Sequence, residues 1–476
     1  MKEKLLWVTG LILFIELLDT TILYASFVPI AAQFKVNTET MSLPMMTYIV
    51  GTCVFIPMTA WLASRYDRIK IINISLIAFA IFSLLCGLSS ELYSFSFFRL
   101  LQGIFISICA SVSMITLLSM SSGTSIVKTM GTINIPALLG TALGPFVGAI
   151  FSYYFSWRFA LMINVPICFI LLFLLRGLKF ESIIDDNADH HFDWLGFLLT
   201  SLALIFTSLG LEQLAISFSF VKLMMIILGL SLIIIYGVIW KTRKKFYEKK
   251  LSILDFSIFQ NKDFLLGSMV NLIARCAMGG LPILMSIILQ KAYRFSVIKA
   301  GLYLGMIAIA GIVAKFFSSS IVQFGLYRSL VVSLFLTAFS MMALAPLNFW
   351  ISSGYLWLIY FVFGFNMSLL FTAMNSVNYI TIDKKDMANA SNIGSMIQQF
   401  SIGLGIVFAM GGFQMLLGWY GVQLTLLNVS IIEKLFILFC FIFAFLMISN
   451  VLIVWLIRRH AHSLRSIVTN FEKVSV

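Results

Sequence analysis

The chain has 476 residues and a formal charge of +13, is 61% hydrophobic and 11% charged, and has a mean hydropathy of +1.03. A soluble globular protein carries roughly 25% charged residues, so an ordinary soluble enzyme is excluded, and at ~20 residues per bilayer crossing the length holds ~14 spans. The positive excess needs no nucleic-acid partner, because Lys and Arg accumulate in cytoplasmic loops for topological reasons.

Lys2 and Lys4 precede the first apolar stretch as in a signal peptide, but Glu16 and Asp19 interrupt it and more spans follow, so it reads as a retained helix. Apolar stretches of spanning length fall at about 5–29, 44–64, 71–90, 95–120, 129–153 and 158–176, a first block of six. Two more follow at about 194–216 and 220–241, then six at about 264–290, 297–320, 327–347, 354–378, 392–417 and 433–457. The expected fold is all-α and polytopic: two six-helix bundles, over 1–180 and 261–476, joined by an inserted helix pair over 181–260. Parallel repeats around a central site recur among transporters.

With this segmentation, 23 of the 32 Lys and Arg residues fall on the side holding both termini and 7 on the other, with Arg99 and Arg275 inside spans. Both termini are expected to be cytoplasmic in a bacterial plasma (inner) membrane. Cys53, Cys86, Cys109, Cys168, Cys276 and Cys440 all lie in apolar runs without CxxC spacing, so they read as small core residues.

An ionisable residue at mid-helix costs at least ~2.5–3.5 kcal/mol on insertion scales, so each one within a span is a functional candidate. Asp19 lies near the middle of the first span, with Glu16 three residues earlier on the same face. Two carboxylates that close in low dielectric do not both ionise easily, a property that suits a proton-carrying site. Arg99 in the fourth span is the natural counter-charge, with Gln102 one turn on; the bland alternative is an arginine snorkelling to the outer interface. Arg275 in the ninth span has no carboxylate nearby in sequence and would suit an anionic substrate group. Glu212, near the outer end of the seventh span, is either a substrate contact or merely interfacial. Asp185, Asp186, Asp189, His190, His191 and Asp193 crowd one connection; that pattern reads as a solvated loop, and no metal site is expected. Gly140, Gly144 and Gly148 place small residues on one helix face, with Pro145 bending the span.

The stretch Leu18-Asp19-Thr20-Thr21-Ile22 ending at Pro29 is followed by Arg99-Leu100-Leu101-Gln102-Gly103 and by Leu143-Gly144-Pro145. Trp157-Arg158, Asn164-Val165-Pro166, Asp193-Trp194-Leu195-Gly196, Leu289-Gln290, Ala300-Gly301-Leu302 and Ala390-Ser391-Asn392 come after these in order. Together they resemble the major facilitator superfamily, and more narrowly the fourteen-span drug:proton antiporters of the EmrB/QacA group; the second half resembles the MdtD-like branch. The resemblance implies that Asp19 couples protons with Arg99 and that Gly140 to Gly148 form the antiporter motif. It also implies a cytoplasmic gate at Arg65, Asp67 and Arg68. That turn departs from the family, since Ser64 stands where an acidic residue is usual, with Asp67 as its substitute.

The expected function is proton-driven export of amphipathic or cationic drugs from a Met- and Phe-rich cavity, with Asp19, Glu16 and Arg99 for coupling and Gln102, Arg275 and Glu212 for substrate. The proton gradient is the energy source, no cofactor is required, and the partners are a small-molecule substrate, protons and the lipid bilayer. A periplasmic adaptor is compatible where the host has two membranes. The alternative keeps the fold and changes the cargo to an organic anion or an anionic metal chelate such as a siderophore, selected by Arg275 with Lys315. No HExxH, GxSxG or phosphate-binding glycine motif is present, so neither hydrolysis nor ATP drive has a sequence basis.

Overall fold

The computed structural model describes residues 2–120, 125–177, 192–216, 219–246, 255–317, 325–379, 381–382, 387–419 and 429–474. Their regular structure is helical, with no strand among the described residues. Among the described residues, thirteen helices are long and apolar enough to cross a membrane. Ser125–Tyr154 adds a helix of 30 residues, which at 1.5 Å per residue is ~45 Å long and exceeds a ~30 Å hydrocarbon core.

In chain order these helices are α1 (Lys2–Phe34), α2 (Ser42–Arg65), α3 (Arg68–Leu88), α4 (Leu92–Ser119), α5 (Ser125–Tyr154), α6 (Trp157–Leu175) and α7 (Trp194–Ile216). They continue as α8 (Phe220–Phe246), α9 (Lys262–Ala292), α10 (Val297–Phe316), α11 (Leu326–Leu344), α12 (Leu356–Tyr379), α13 (Met387–Trp419) and α14 (Val429–Val474). Each coincides with an expected span.

Two of them are broken for a readable reason. Pro166 has no N–H to give the carbonyl of residue 162, and α6 is interrupted at Ile163. Pro282 does the same to α9, which stops at Gly279, restarts at Leu281 and ends in a π-helical turn, Ile288–Ala292.

Lipid offers no hydrophobic drive between helices, so close packing depends on small residues. Gly140, Gly144 and Gly148 of α5 face α1, where an added Cβ would fall on the Phe14 carbonyl, the Thr21 hydroxyl and the Ile22 carbonyl. The α9–α13 contact repeats this seam: a Cβ on Gly280 would strike the Gly405 carbonyl, and one on Gly405 the Cys276 carbonyl. Likewise Gly103 of α4 sits under the Tyr48 carbonyl of α2, and Gly364 of α12 under the Ile307 carbonyl of α10. The pairings α1·α5, α2·α4, α3·α4, α1·α4 and α3·α6 recur eight helices later as α9·α13, α10·α12, α11·α12, α9·α12 and α11·α14. The repeat is faint in sequence and plain in packing.

The two sets meet through α5 on α10 and, equivalently, α2 on α13. The pair α7 and α8 pack on each other, and α7 lies against α2 and α13. On the outer face of α8, Ile227, Ile234 and Val238 are exposed, as lipid-facing side chains are.

Candidate functional site

Asp19 of α1 is fully buried and forms an ion pair with the equally buried Arg99 of α4, Nη1 to Oδ2 at 2.5 Å. Its other oxygen, Oδ1, accepts from Gln102 Nε2 at 3.1 Å and from Asn164 Nδ2 at 2.6 Å. Gln102 also accepts from Arg99 at 2.7 Å and donates to Ser83 of α3 at 2.7 Å. The Tyr48 ring of α2 lies 4.0 Å from the Arg99 guanidinium carbon. Five helices thus converge on one carboxylate. The pair is incompletely satisfied, since Arg99 Nε and Nη2 and Asn164 Oδ1 are buried without a partner. A buried charge pair of this kind is weak evidence for stability, because desolvation rivals the Coulombic gain.

The local sequence explains the convergence. The glycine stripe of α5 draws α1 close, and Ser26 extends the seam by contacting Ser152 Oγ at 2.7 Å. Gly103 brings α4 onto α2 beside Tyr48. The break at Ile163 starts a new segment at Asn164, whose amide reaches Asp19. Trp157 donates to Gln33 at 2.5 Å, and Arg158 donates to the Gly87 and Ser89 carbonyls at 2.7 and 2.5 Å. A cation on the last carbonyls of α3 suits the negative end of the helix dipole.

The Glu16 carboxylate does not join this network, although Tyr48 Oη donates to the Glu16 backbone carbonyl at 3.4 Å. It lies half-buried where the two helix sets meet, and Gln399 Nε2 of α13 approaches its Oε1 at 3.4 Å. Gln102, expected among substrate contacts, is instead sealed inside the network. Arg275 is buried in the second set, where Nε donates to Asn271 at 2.5 Å and the guanidinium lies over Phe371, 4.2 Å to the ring centroid.

In the turn between α2 and α3, Asp67 caps α3 by accepting from the Ile69 and Lys70 amides at 2.9 and 3.3 Å. Arg68 donates to the Ala63 carbonyl at 2.9 Å and to Ser119 at 3.0 Å, and Arg65 lies 5.7 Å from the Trp61 ring. Ser64 donates to the Trp61 carbonyl at 2.8 Å. Asp67 therefore serves as a helix cap. Pro145 is buried in the α5 seam, and its carbonyl lies close to where a Cβ on Gly301 of α10 would stand. Glu212 belongs to α7, but its side chain lies outside the described residues, as do Asp185, Asp186, Asp189, His190 and His191. No metal-binding group of His, Cys, Asp and Glu occurs among the described residues.

Sequence reasoning missed Asn164, Tyr48 and Ser83 as members of the site. For Asn164 the signal was present, a polar residue just before a proline inside an apolar span; Tyr48 and Ser83 carry no comparable mark.

Contacts between the helix sets run from mid-membrane to the face remote from the chain termini. Ser286 donates to the Tyr24 carbonyl at 2.6 Å and Gln290 to the Ala25 carbonyl at 3.1 Å. Gly301 abuts Ala149, and Gly403 abuts Met46 and Ile49. The arrangement can hold a buried charge on α1 whose neutralisation would free an arginine, beside a seam between two similar halves.

The sequence pattern of the Major Facilitator Superfamily matches residues 9–406. The chain is 28% identical over 410 residues to the transport protein HsrA of Haemophilus influenzae, covering 84% of this chain and 86% of that one. It is 26% identical over 441 residues to a protein of Klebsiella pneumoniae named multidrug resistance protein MdtD, covering 91% and 90%. Among solved structures, the POT family transporter PepTSo superposes with a TM-score of 0.68 at 10% identity, over 97% of this chain and 98% of that one.

Proposed function

The chain belongs to the major facilitator superfamily and is a multi-pass membrane transporter; from that premise we propose that it exports amphipathic or cationic compounds by proton-coupled, alternating-access antiport. The observation that carries this reading is the buried Asp19–Arg99 pair, held by Gln102 and Asn164 from two further places in the chain. Relatives named for multidrug resistance support the choice of cargo.

In this reading the pair is the proton-free state. Protonation of Asp19 neutralises the carboxylate, the charge-assisted bond to Arg99 weakens, and the α1–α4 contact loosens. Glu16, at the seam and one turn before Asp19, is the carboxylate that meets a cationic cargo. Both termini are placed in the cytoplasm by the Lys and Arg asymmetry, in a bacterial inner membrane. The contacts of Ser286 and Gln290 with α1 then lie on the outer side. A proton moving down ~150 mV releases about 3.5 kcal/mol, enough for a few-hundred-fold cargo gradient.

The test is proton flux in proteoliposomes under an imposed pH gradient, on adding tetraphenylphosphonium, citrate or a ferric chelate in turn. Wild type should respond to the cation, and Asp19→Asn should not. Size-exclusion behaviour identical to wild type separates lost coupling from lost fold. Full cation-driven flux in the folded variant would overturn the coupling role.

A further inference from the structure

A guanidinium can only donate hydrogen bonds, yet in Arg99 only Nη1 does so, to Asp19 at 2.5 Å and to Gln102 at 2.7 Å. Nε and Nη2 are buried without an acceptor among the described residues. What the guanidinium has besides is the Tyr48 ring of α2, whose centroid lies 4.0 Å from Cζ. At that distance the negative face of an aromatic ring attracts a cation, and the attraction grows when water is excluded. Tyr48 is 2% exposed and is anchored at both ends. Its backbone is held against α4, where a Cβ on Gly103 would fall on the Tyr48 carbonyl and one on Gly51 of α2 on the Leu100 carbonyl. Its Oη donates to the Glu16 carbonyl of α1 at 3.4 Å. The other titratable groups that act on this site are Glu16 from α1, Cys86 from α3, Cys109 from α4 and Cys168 from α6. None of them is a cation.

Proton uptake by Asp19 changes what Arg99 must rely on. The proton goes onto an Asp19 oxygen, the carboxylate becomes a neutral acid, and the arginine, which does not release its own proton in proteins, remains a cation. In the ion pair the ring face attracts the guanidinium but also opposes the carboxylate, which is near enough to act on Tyr48. After protonation only the attraction is left. We infer that Tyr48 is a positioning residue for proton coupling: its aromatic face holds Arg99 while Asp19 carries the proton, and so makes the proton-loaded state accessible. Without the ring, an uncompensated guanidinium would stand inside the membrane, and such a charge is costly. α2 and α4 then stay joined through the ring while the bond from α4 to α1 loosens. The inference rests on the coupling role proposed for Asp19, but it is tested by titrating that carboxyl without cargo or gradient, so its failure and that of proton-driven transport are distinguishable.

The experiment is infrared difference spectroscopy of the whole chain in lipid bilayers as the pH is varied. The carbonyl stretch of the protonated Asp19 side chain is identified as the band lost in Asp19→Asn, and the midpoint of its titration is the readout. Tyr48→Phe keeps the ring and should leave the midpoint close to wild type. Tyr48→Leu removes the ring and should move the midpoint to lower pH by about one unit, a tenfold loss of proton affinity. Mono-, di- or trifluorinated phenylalanine at the same position keeps the shape of the ring while draining its face of negative charge, and should lower the midpoint stepwise. These rings fill the same space, so they decide the matter even where Tyr48→Leu fails to fold. A midpoint indifferent to fluorination, or one unchanged or raised in folded Tyr48→Leu, overturns the inference. So does an Asp19 band that never titrates while the protein stays folded, since the proton-loaded state would then not exist.

Discussion

Asp19 uses both of its oxygens, one for Arg99 and one for two side-chain amides. Removing one partner of a buried pair leaves an uncompensated charge and costs about 3–5 kcal/mol. Arg99→Ala should therefore lower unfolding stability by that amount in a denaturant titration, whereas Asp19→Ala with Arg99→Leu should recover much of it. Transport should be absent in both, because neither can exchange a proton for a salt bridge. Asn164→Ala loses a bond to a charged group, about 1.5–3 kcal/mol. Gradient-driven flux should fall in that variant, while cargo exchange at equal pH persists; unchanged gradient-driven flux would remove Asn164 from the coupling network. Asp19 and Arg99 were legible as charges at telling positions, whereas Asp67 was marked as a gate residue and its capping of α3 was not foreseen. Which group each one meets was not legible, because Arg99 is 80 residues from Asp19 and Asn164 is 145.

At the scale of elements, the glycine stripes decide which helices come close. Gly144→Val would drive a side chain into Thr21 and the Ile22 backbone of α1. Backbone cannot move aside cheaply, so the cost should be at least the about 1–3 kcal/mol typical of overpacking. The variant should melt lower in detergent and lose transport. Gly305→Ala is the control: a Cβ there meets nothing within 4 Å, so its melting temperature should match or exceed wild type, alanine being the better helix former. A Gly144→Val protein as stable as wild type would show that α1 and α5 pack differently. The stripe at Gly140, Gly144 and Gly148 was readable as a packing face from its spacing, but its partner was set by the folded bundle. The helix breaks at Ile163 and Gly280 follow from Pro166 and Pro282, whereas the π turn at Ile288–Ala292 has no sequence signature.

For the whole molecule, the seam remote from the termini is held by Ser286 and Gln290 reaching the α1 carbonyls of Tyr24 and Ala25. Alternating access requires that seam to part. Ala25→Cys with Gln290→Cys, bridged by a short bis-methanethiosulfonate that spans the length of the Gln290 side chain, should stop transport, and reduction should restore it. Five of the six native cysteines are buried, and the partly exposed Cys276 is replaced by serine in the background. Transport undiminished by a complete cross-link would show that this seam does not open. With the termini in the cytoplasm, reagents added from the inner side should reach Glu16→Cys in the unlinked state, and labelling only from outside would reverse the assigned orientation.

The amino-acid sequence by itself determined the membrane habit, the approximate places of the long helices, and the short list of charges worth attention. These follow from hydropathy and from the expense of an ion in hydrocarbon, which are properties of a local window of chain. Only the tertiary structure decided that Gln102 is sealed beside Asp19, that Glu16 stands apart at the seam, and that Asn164 completes the network. It also decided that Arg275 lies over the Phe371 ring and bonds to Asn271. Each of these depends on helix rotation and on contacts between residues far apart in the chain. Those are set by which small residues let two backbones touch, and a single span carries no record of its neighbour.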